Sequence, residues 1–80
     1  MKYRKKPVII EAIQYTGDNY KEICDFVGKF LFQFESGEFV IETLEGDHLC
    51  KIGDFVIKGV RGEFYVCKPY IFEETYEEVK

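Results

Sequence analysis

The first patterned stretch is Pro7-Val-Ile-Ile-Glu-Ala-Ile-Gln-Tyr15, where β-branched residues dominate and a proline unable to donate to a ladder stands first. This predicts a strand over 7–15 entered from a sheet edge. Val8, Ile10 and Ala12 share one face, and Ile9, Ile13 and Tyr15 the other, so both faces are expected to be covered. Glu11 is the odd member of the run. Two readings fit it: a carboxylate turned to solvent near an edge, or one held by a cation such as Arg61 or Lys68.

The period then changes. Thr16-Gly-Asp-Asn19 reads as a turn, and Asn19 with Glu22 three residues on has the spacing of a reciprocal helix cap. Tyr20, Ile23, Cys24 and Val27 recur at the spacing of one helical face. The expectation is a helix over 20–28, with Gly28 supplying a left-handed residue near its end. Cys24 lies on the apolar stripe and reads as a packing residue.

Beyond residue 29 the period is two. Phe30, Phe32 and Phe34 alternate with Leu31, Gln33 and Glu35, and Ser36-Gly37 leads into Glu38–Thr43, the pattern of a hairpin. A turn at Glu45-Gly-Asp47 precedes a short strand at 48–51, and Ile52-Gly-Asp54 punctuates again. Phe55–Lys58 and Glu63–Lys68 then flank the loop Gly59-Val-Arg-Gly62. Pro69 suits the first position of a short helical turn ending at Phe72. Thr75–Val79 continues as a strand or as a second helix. The strand is preferred, because it sets Glu73, Glu74, Glu77 and Glu78 beside the basic start, Lys2, Arg4, Lys5 and Lys6. The fold class is α+β: a mainly antiparallel sheet with one helix packed on it, in a single domain over residues 1–80.

Composition sharpens this picture. A chain of 80 residues buries only about 60% of the surface its unfolded form exposes, so its stability is modest. Eight Phe and six Tyr carry a large ring surface for so small a core. Self-association into a homo-oligomer and dense packing within one monomer both account for them. A net charge of −4 excludes duplex nucleic acid as the main partner, since phosphate binding needs a basic surface. No apolar run approaches the ~20 residues of a membrane span, and no leader pattern opens the chain. The expectation is a cytoplasmic protein without a membrane partner. Cys24, Cys50 and Cys67 have no paired spacing and read as reduced thiols.

Candidate chemistry is sparse. The chain has one Ser and one His; Ser36 is explained by its turn, and His48 and Cys50, two apart on a strand, lie side by side without aiming at each other. Zinc would find at most His48, Cys50 and Cys67. Glu11 and Asp54 lack any visible partner for acid–base work, and Gly59-x-x-Gly62 lacks the Lys-Ser/Thr of a phosphate loop. A non-enzyme without metal or cofactor is expected. What remains is a basic and aromatic set, Lys58, Arg61, Tyr65, Lys68 and Tyr70. With Lys58 and Lys68 on two arms of a hairpin and Arg61 in its loop, the charges would converge on an anion while a tyrosine offers a ring. Simple solvated cations are the plainer alternative.

The string Gly53-Asp-Phe-Val-Ile-Lys-Gly-Val-Arg-Gly-Glu-Phe-Tyr-Val-Cys-Lys-Pro-Tyr-Ile-Phe-Glu-Glu-Thr-Tyr76 resembles the C-terminal signature of a group of small phage and prophage proteins. Tyr3-Arg-Lys-Lys-Pro-Val-Ile-Ile-Glu-Ala-Ile-Gln-Tyr15 resembles the same group's N-terminal signature, and Thr43-Leu-Glu-Gly46 adds to the match. The chain departs from the group's pattern at Val66, commonly a proline, and at Tyr70, usually acidic. The group carries no settled activity. The resemblance implies a phage accessory protein acting in the bacterial host cytoplasm, where such proteins disable or evade host defences. The expected action is non-catalytic binding: capture of an anionic small molecule such as a host nucleotide signal, or blockade of a host protein. The alternative is a structural or assembly-associated phage protein.

Overall fold

The computed structural model describes residues 1–4 and 6–79. Its elements are β1 (Glu11–Gln14), α1 (Tyr20–Val27), β2 (Phe39–Thr43), β3 (Gly46–Cys50), β4 (Phe55–Lys58), β5 (Phe64–Cys67) and α2 (Pro69–Thr75). All strand pairs are antiparallel, which gives the expected α+β class, but they form two sheets: β1-β4-β5 and the ribbon β2-β3. Among the described residues the helices number two, one more than expected.

β4 is central in its sheet and carries the buried pair Val56 and Ile57. Its register sets Ile13 opposite Val56 on one side and Val66 opposite Val56 on the other, so these three share a face. That face meets the ribbon's inner face, Phe39, Ile41 and Cys50, and the α1 stripe, Ile23 and Cys24, in one core. Tyr15 sits wholly buried among them, its ring edge-on to Phe39 at 4.8 Å and its hydroxyl donating to the Gly37 carbonyl at 2.6 Å. An edge-to-face pair adds about 0.5–1.5 kcal/mol beyond area burial, and the satisfied hydroxyl removes the cost of hiding a polar group.

α1 follows the apolar period and ends at Gly28, whose φ of 93° only glycine adopts freely. Its start differs from the reciprocal cap. Asn19 Oδ1 accepts from the Thr16 backbone N–H (2.9 Å) and its amide donates to the Gln14 carbonyl (2.8 Å) and to Glu22 (3.1 Å). The side chain is committed to closing the preceding turn, so it makes no helix-capping bond.

Three expectations are corrected. The strand over 7–15 is realised only at Glu11–Gln14, because β4 ends opposite Glu11 and offers no ladder to residues 7–10; Val8 and Ile9 stay 51% and 77% exposed. The chain does reverse at Ser36-Gly37, but residues 30–35 pair with the following segment only around one antiparallel bridge, Gln33 to Phe39. The Phe34 N–H donates to the Glu38 carbonyl (2.8 Å) and the Val40 N–H to the Phe32 carbonyl (3.0 Å), so the first arm is short of a strand. The acidic segment forms α2 through Thr75 and then leaves regular structure, with no strand over 75–79. Pro69 does occupy the first turn of that helix. Phe72 stacks on Phe55 with centroids 3.8 Å apart and rings nearly parallel, fastening α2 to the sheet face opposite the core. Among the described residues no helix is long and apolar enough to cross a membrane.

Candidate functional site

β4 and β5 do form one hairpin, with Lys58 on one arm and Lys68 just past the other, as the sequence suggested. The register separates them. Lys58 pairs with Phe64 beside the loop, whereas Lys68 follows Cys67 at the far end, four residues and roughly 13 Å along the strand. Tyr65 pairs with Ile57 and therefore points to the face opposite Lys58. Tyr70 stands exposed on α2, and Arg61 exposed in the loop. Lys58 and Arg61 thus stand at the loop end of the hairpin and Lys68 and Tyr70 at the other, so the set does not converge on one point.

Two carboxylates occupy the ground an anion would need. Glu63 Oε1 lies over the loop and accepts from the Arg61 backbone N–H at 3.2 Å; a Cβ on Gly59 would meet that oxygen at 1.8 Å. At the other end Asp54, 3% exposed, takes Lys68 Nζ at 3.3 Å and the Lys51 backbone N–H at 3.0 Å on the same oxygen. The Asp54 N–H returns to the Lys51 carbonyl (2.9 Å) and the Tyr15 N–H donates to the Asp54 carbonyl (2.8 Å). One buried aspartate thus ties the β3–β4 turn, the end of β1 and the start of α2 together. Sequence reading saw Asp54 only as turn punctuation and as an acid without a partner. Its partners are brought in from 14 residues away and from the main chain, which local patterning does not signal.

The thiols are set apart from chemistry. Cys50 is wholly buried, and burial, reinforced by the Asp54 charge, pushes its thiol up to about 12. Burial and Asp54 also push Cys67 upward. A thiolate nucleophile requires the opposite shift. His48 pairs with Ile41 on the ribbon, and among the described residues no group of three His, Cys, Asp or Glu is placed to hold a metal. Glu11 is exposed on β1 opposite Lys58, with no ion pair among the described residues; neither Arg61 nor Lys68 reaches it.

The surface carries two apolar features instead. The first lies on the outside of the ribbon. Gln33 shares the inner side with Phe39, so Phe32 and Phe34 project outward on the side of the paired Val40 and Leu49. Phe30, Phe32 and Phe34 are 91%, 66% and 45% exposed; Phe32 and Phe34 touch edge-to-face at 4.9 Å. Phe32, Phe34 and the 42% exposed Leu49 together show on the order of 300 Å² of apolar surface, the size of patch that marks an interaction site on a monomer; Phe30 stands apart, beside Gly28 and Lys29 at the end of α1. The second is a groove of about 440 Å³ between the segment preceding β1 and the C-terminal stretch, floored by Ala12, Phe55 and Phe72 and rimmed by Glu77 and Glu78. A ring is normally the residue to bury, yet Phe30, Phe32 and Phe34 are not buried. Leu31 takes that place, 7% exposed, with its carbonyl accepting from the Tyr20 hydroxyl of α1. Comparison with family models, curated proteins and solved structures finds no match to this chain.

Proposed function

We propose that the protein is a phage accessory protein that acts without catalysis, in the cytoplasm of the bacterial host, by covering the surface of a host protein with its aromatic ribbon face. The observation that carries this is the exposure of Phe32 and Phe34 beside Val40 and Leu49, where aromatic anchors without a cover supply the centre of a protein interface. The phage setting rests on the resemblance of the two terminal strings. Nucleotide capture has less support from the geometry, because Glu63 and Asp54 present carboxylates at the two ends of the hairpin where the cations stand.

The test places a photo-crosslinking residue at Phe32, and a control at Lys21 on α1, in the full chain expressed in a susceptible host. Supporting the reading, one discrete host protein is trapped from Phe32 and not from Lys21. The same protein is lost when Phe30 and Phe34 are changed to Ser, and phage protection falls in step. Protection that survives those changes but vanishes in Arg61→Ala, with a small molecule released on denaturing the parent protein, would overturn it in favour of anion capture.

A further inference from the structure

The ribbon face is not the only unfinished surface. β1 is the edge strand of its sheet, paired with β4 on one side and, among the described residues, with no strand on the other. The Tyr15 N–H and carbonyl both turn toward the β4 side, to the Asp54 carbonyl and the Gly53 N–H. Antiparallel ladders alternate, so the odd-numbered residues of β1 bond inward; Ala12 presents its N–H and carbonyl to the open edge and Gln14 its N–H, the Gln14 carbonyl being taken by the Asn19 amide at 2.8 Å. Continued through the preceding segment, the same parity turns Ile10, Val8 and Lys6 outward. Pro7 falls on an odd position and removes no outward donor. An edge with exposed Val8 and Ile9 and no blocking proline is one that another strand adds to readily.

The charges say which strand. Lys2, Arg4 and Lys6 share a face with Ala12 once the segment is extended, the face on which α2 lies through the Phe55–Phe72 stack. Neither these cations nor Glu73, Glu74, Glu77 and Glu78 make an ion pair among the described residues. Glu77 and Glu78 come back beside Val8 and Ile10 at the groove. For Glu73 and Glu74 the reason is positional: Phe55 is the partner of Gln14, so α2 covers the end of β1 that is eight residues and roughly 26 Å from Lys6. An antiparallel partner brings its own start to that end.

We propose that the open edge of β1, with the segment before it, seats a second copy of this chain in a two-fold dimer, the two strands pairing antiparallel about Ile10. Lys6 of each copy then lies opposite Gln14 of the other, Val8 opposite Ala12, and the two three-stranded sheets become one of six strands. Arg4 and Lys6 of one copy reach Glu73 and Glu74 on the α2 of the other. The ribbon face stays open on both copies, so this dimer is independent of the function proposed above.

Sedimentation of the full chain at tens of micromolar tests it. The parent is expected as a dimer and Ala12→Pro as a monomer of unchanged circular dichroism, since that proline removes only an outward N–H. Arg4→Glu/Lys6→Glu and Glu73→Lys/Glu74→Lys should each weaken association about tenfold, and an equimolar mixture of the two should regain it as a heterodimer. A monomeric parent at these concentrations overturns the proposal. So does a mixture that associates no better than its components, a result that stands even if Ala12→Pro fails to fold.

Discussion

The β2–β3 ribbon has one finished face and one open face, and consecutive residues along the chain separate them. Leu31, Phe39, Ile41 and Cys50 turn inward and are buried, while Phe32, Phe34, Val40 and Leu49 turn outward. The outer set is at least as apolar as the inner. Hydrophobicity alone therefore does not decide the orientation; position does. The inner side is where α1 delivers Ile23 and Cys24 and the three-stranded sheet delivers Val56, so burial there is shared by three elements. Among the described residues no helix or strand packs on the outer side, where the Phe32 and Phe34 rings contact each other. An 80-residue chain has one core's worth of covering surface to distribute.

The largest effect expected from breaking this comparison is at Phe39, wholly buried between Tyr15 and Tyr20. Phe39→Ala should cost about 3–5 kcal/mol through lost transfer and the cavity left behind, against a total of roughly 4–12 kcal/mol for a chain of this length. Phe30→Ala, on an exposed ring, should stay within about 0.5 kcal/mol. Urea denaturation of the two variants measures both. Equal losses would show that the exposed ring is covered in solution.

Cys50 gives the inner face a pH dependence. Its thiol is raised in the folded chain to about 12 from an ordinary 9.0, so the folded state holds its proton where the unfolded state has released it. That stability is fully present below pH 9 and is lost between pH 9 and pH 12, with a slope approaching 1.4 kcal/mol per pH unit, about the linkage value for one proton. Cys67, also raised, titrates with the same sign. In Cys50→Val the alkaline fall in urea midpoint should be shallower than in the parent. An unchanged fall would mean that solvent reaches the buried thiol.

Much of the fold was legible because local rules and tertiary packing agreed. The α1 stripe, Gly28, the β4–β5 hairpin and Pro69 at a helix start each follow from spacing or backbone chemistry, and each stands where that chemistry puts it. The failures share a different cause. Residues 7–10 and 30–35 have strand patterns, but a strand needs a neighbour, and β4 stops at Lys58 while the β2 edge accepts only a bridge at Gln33. The C-terminal strand over 75–79 was preferred for charge reasons, yet α2, held by the stacking of Phe72 on Phe55, runs on to Thr75 and residues 76–79 follow it without regular structure. Exposed ion pairs at about 0.2–1 kcal/mol each were too weak a guide. The anion site failed for a related reason: residue types were read without register, and register sets Lys58, Tyr65 and Lys68 on different ends and faces.

The smallest effect should come from the open face itself, and it is the most informative. In Phe32→Ser/Phe34→Ser the chain loses an edge-to-face pair with centroids 4.9 Å apart, but neither ring belongs to the core cluster. Such a pair is worth about 0.5–1.5 kcal/mol when packed; with Phe32 two-thirds exposed, solvent already contacts most of that ring, so the expected loss is under about 1 kcal/mol. The inner-face bridge from Gln33 to Phe39 is untouched by the change, so the urea slope, which reports the surface exposed on unfolding, should stay that of the parent. Binding of a hydrophobic dye to the folded protein should fall at the same time, because the patch that attracts it has been removed. A stability loss on the scale of Phe39→Ala would show instead that the two faces of the ribbon are equally finished in solution, with the outer one closed by contacts that a single chain does not make.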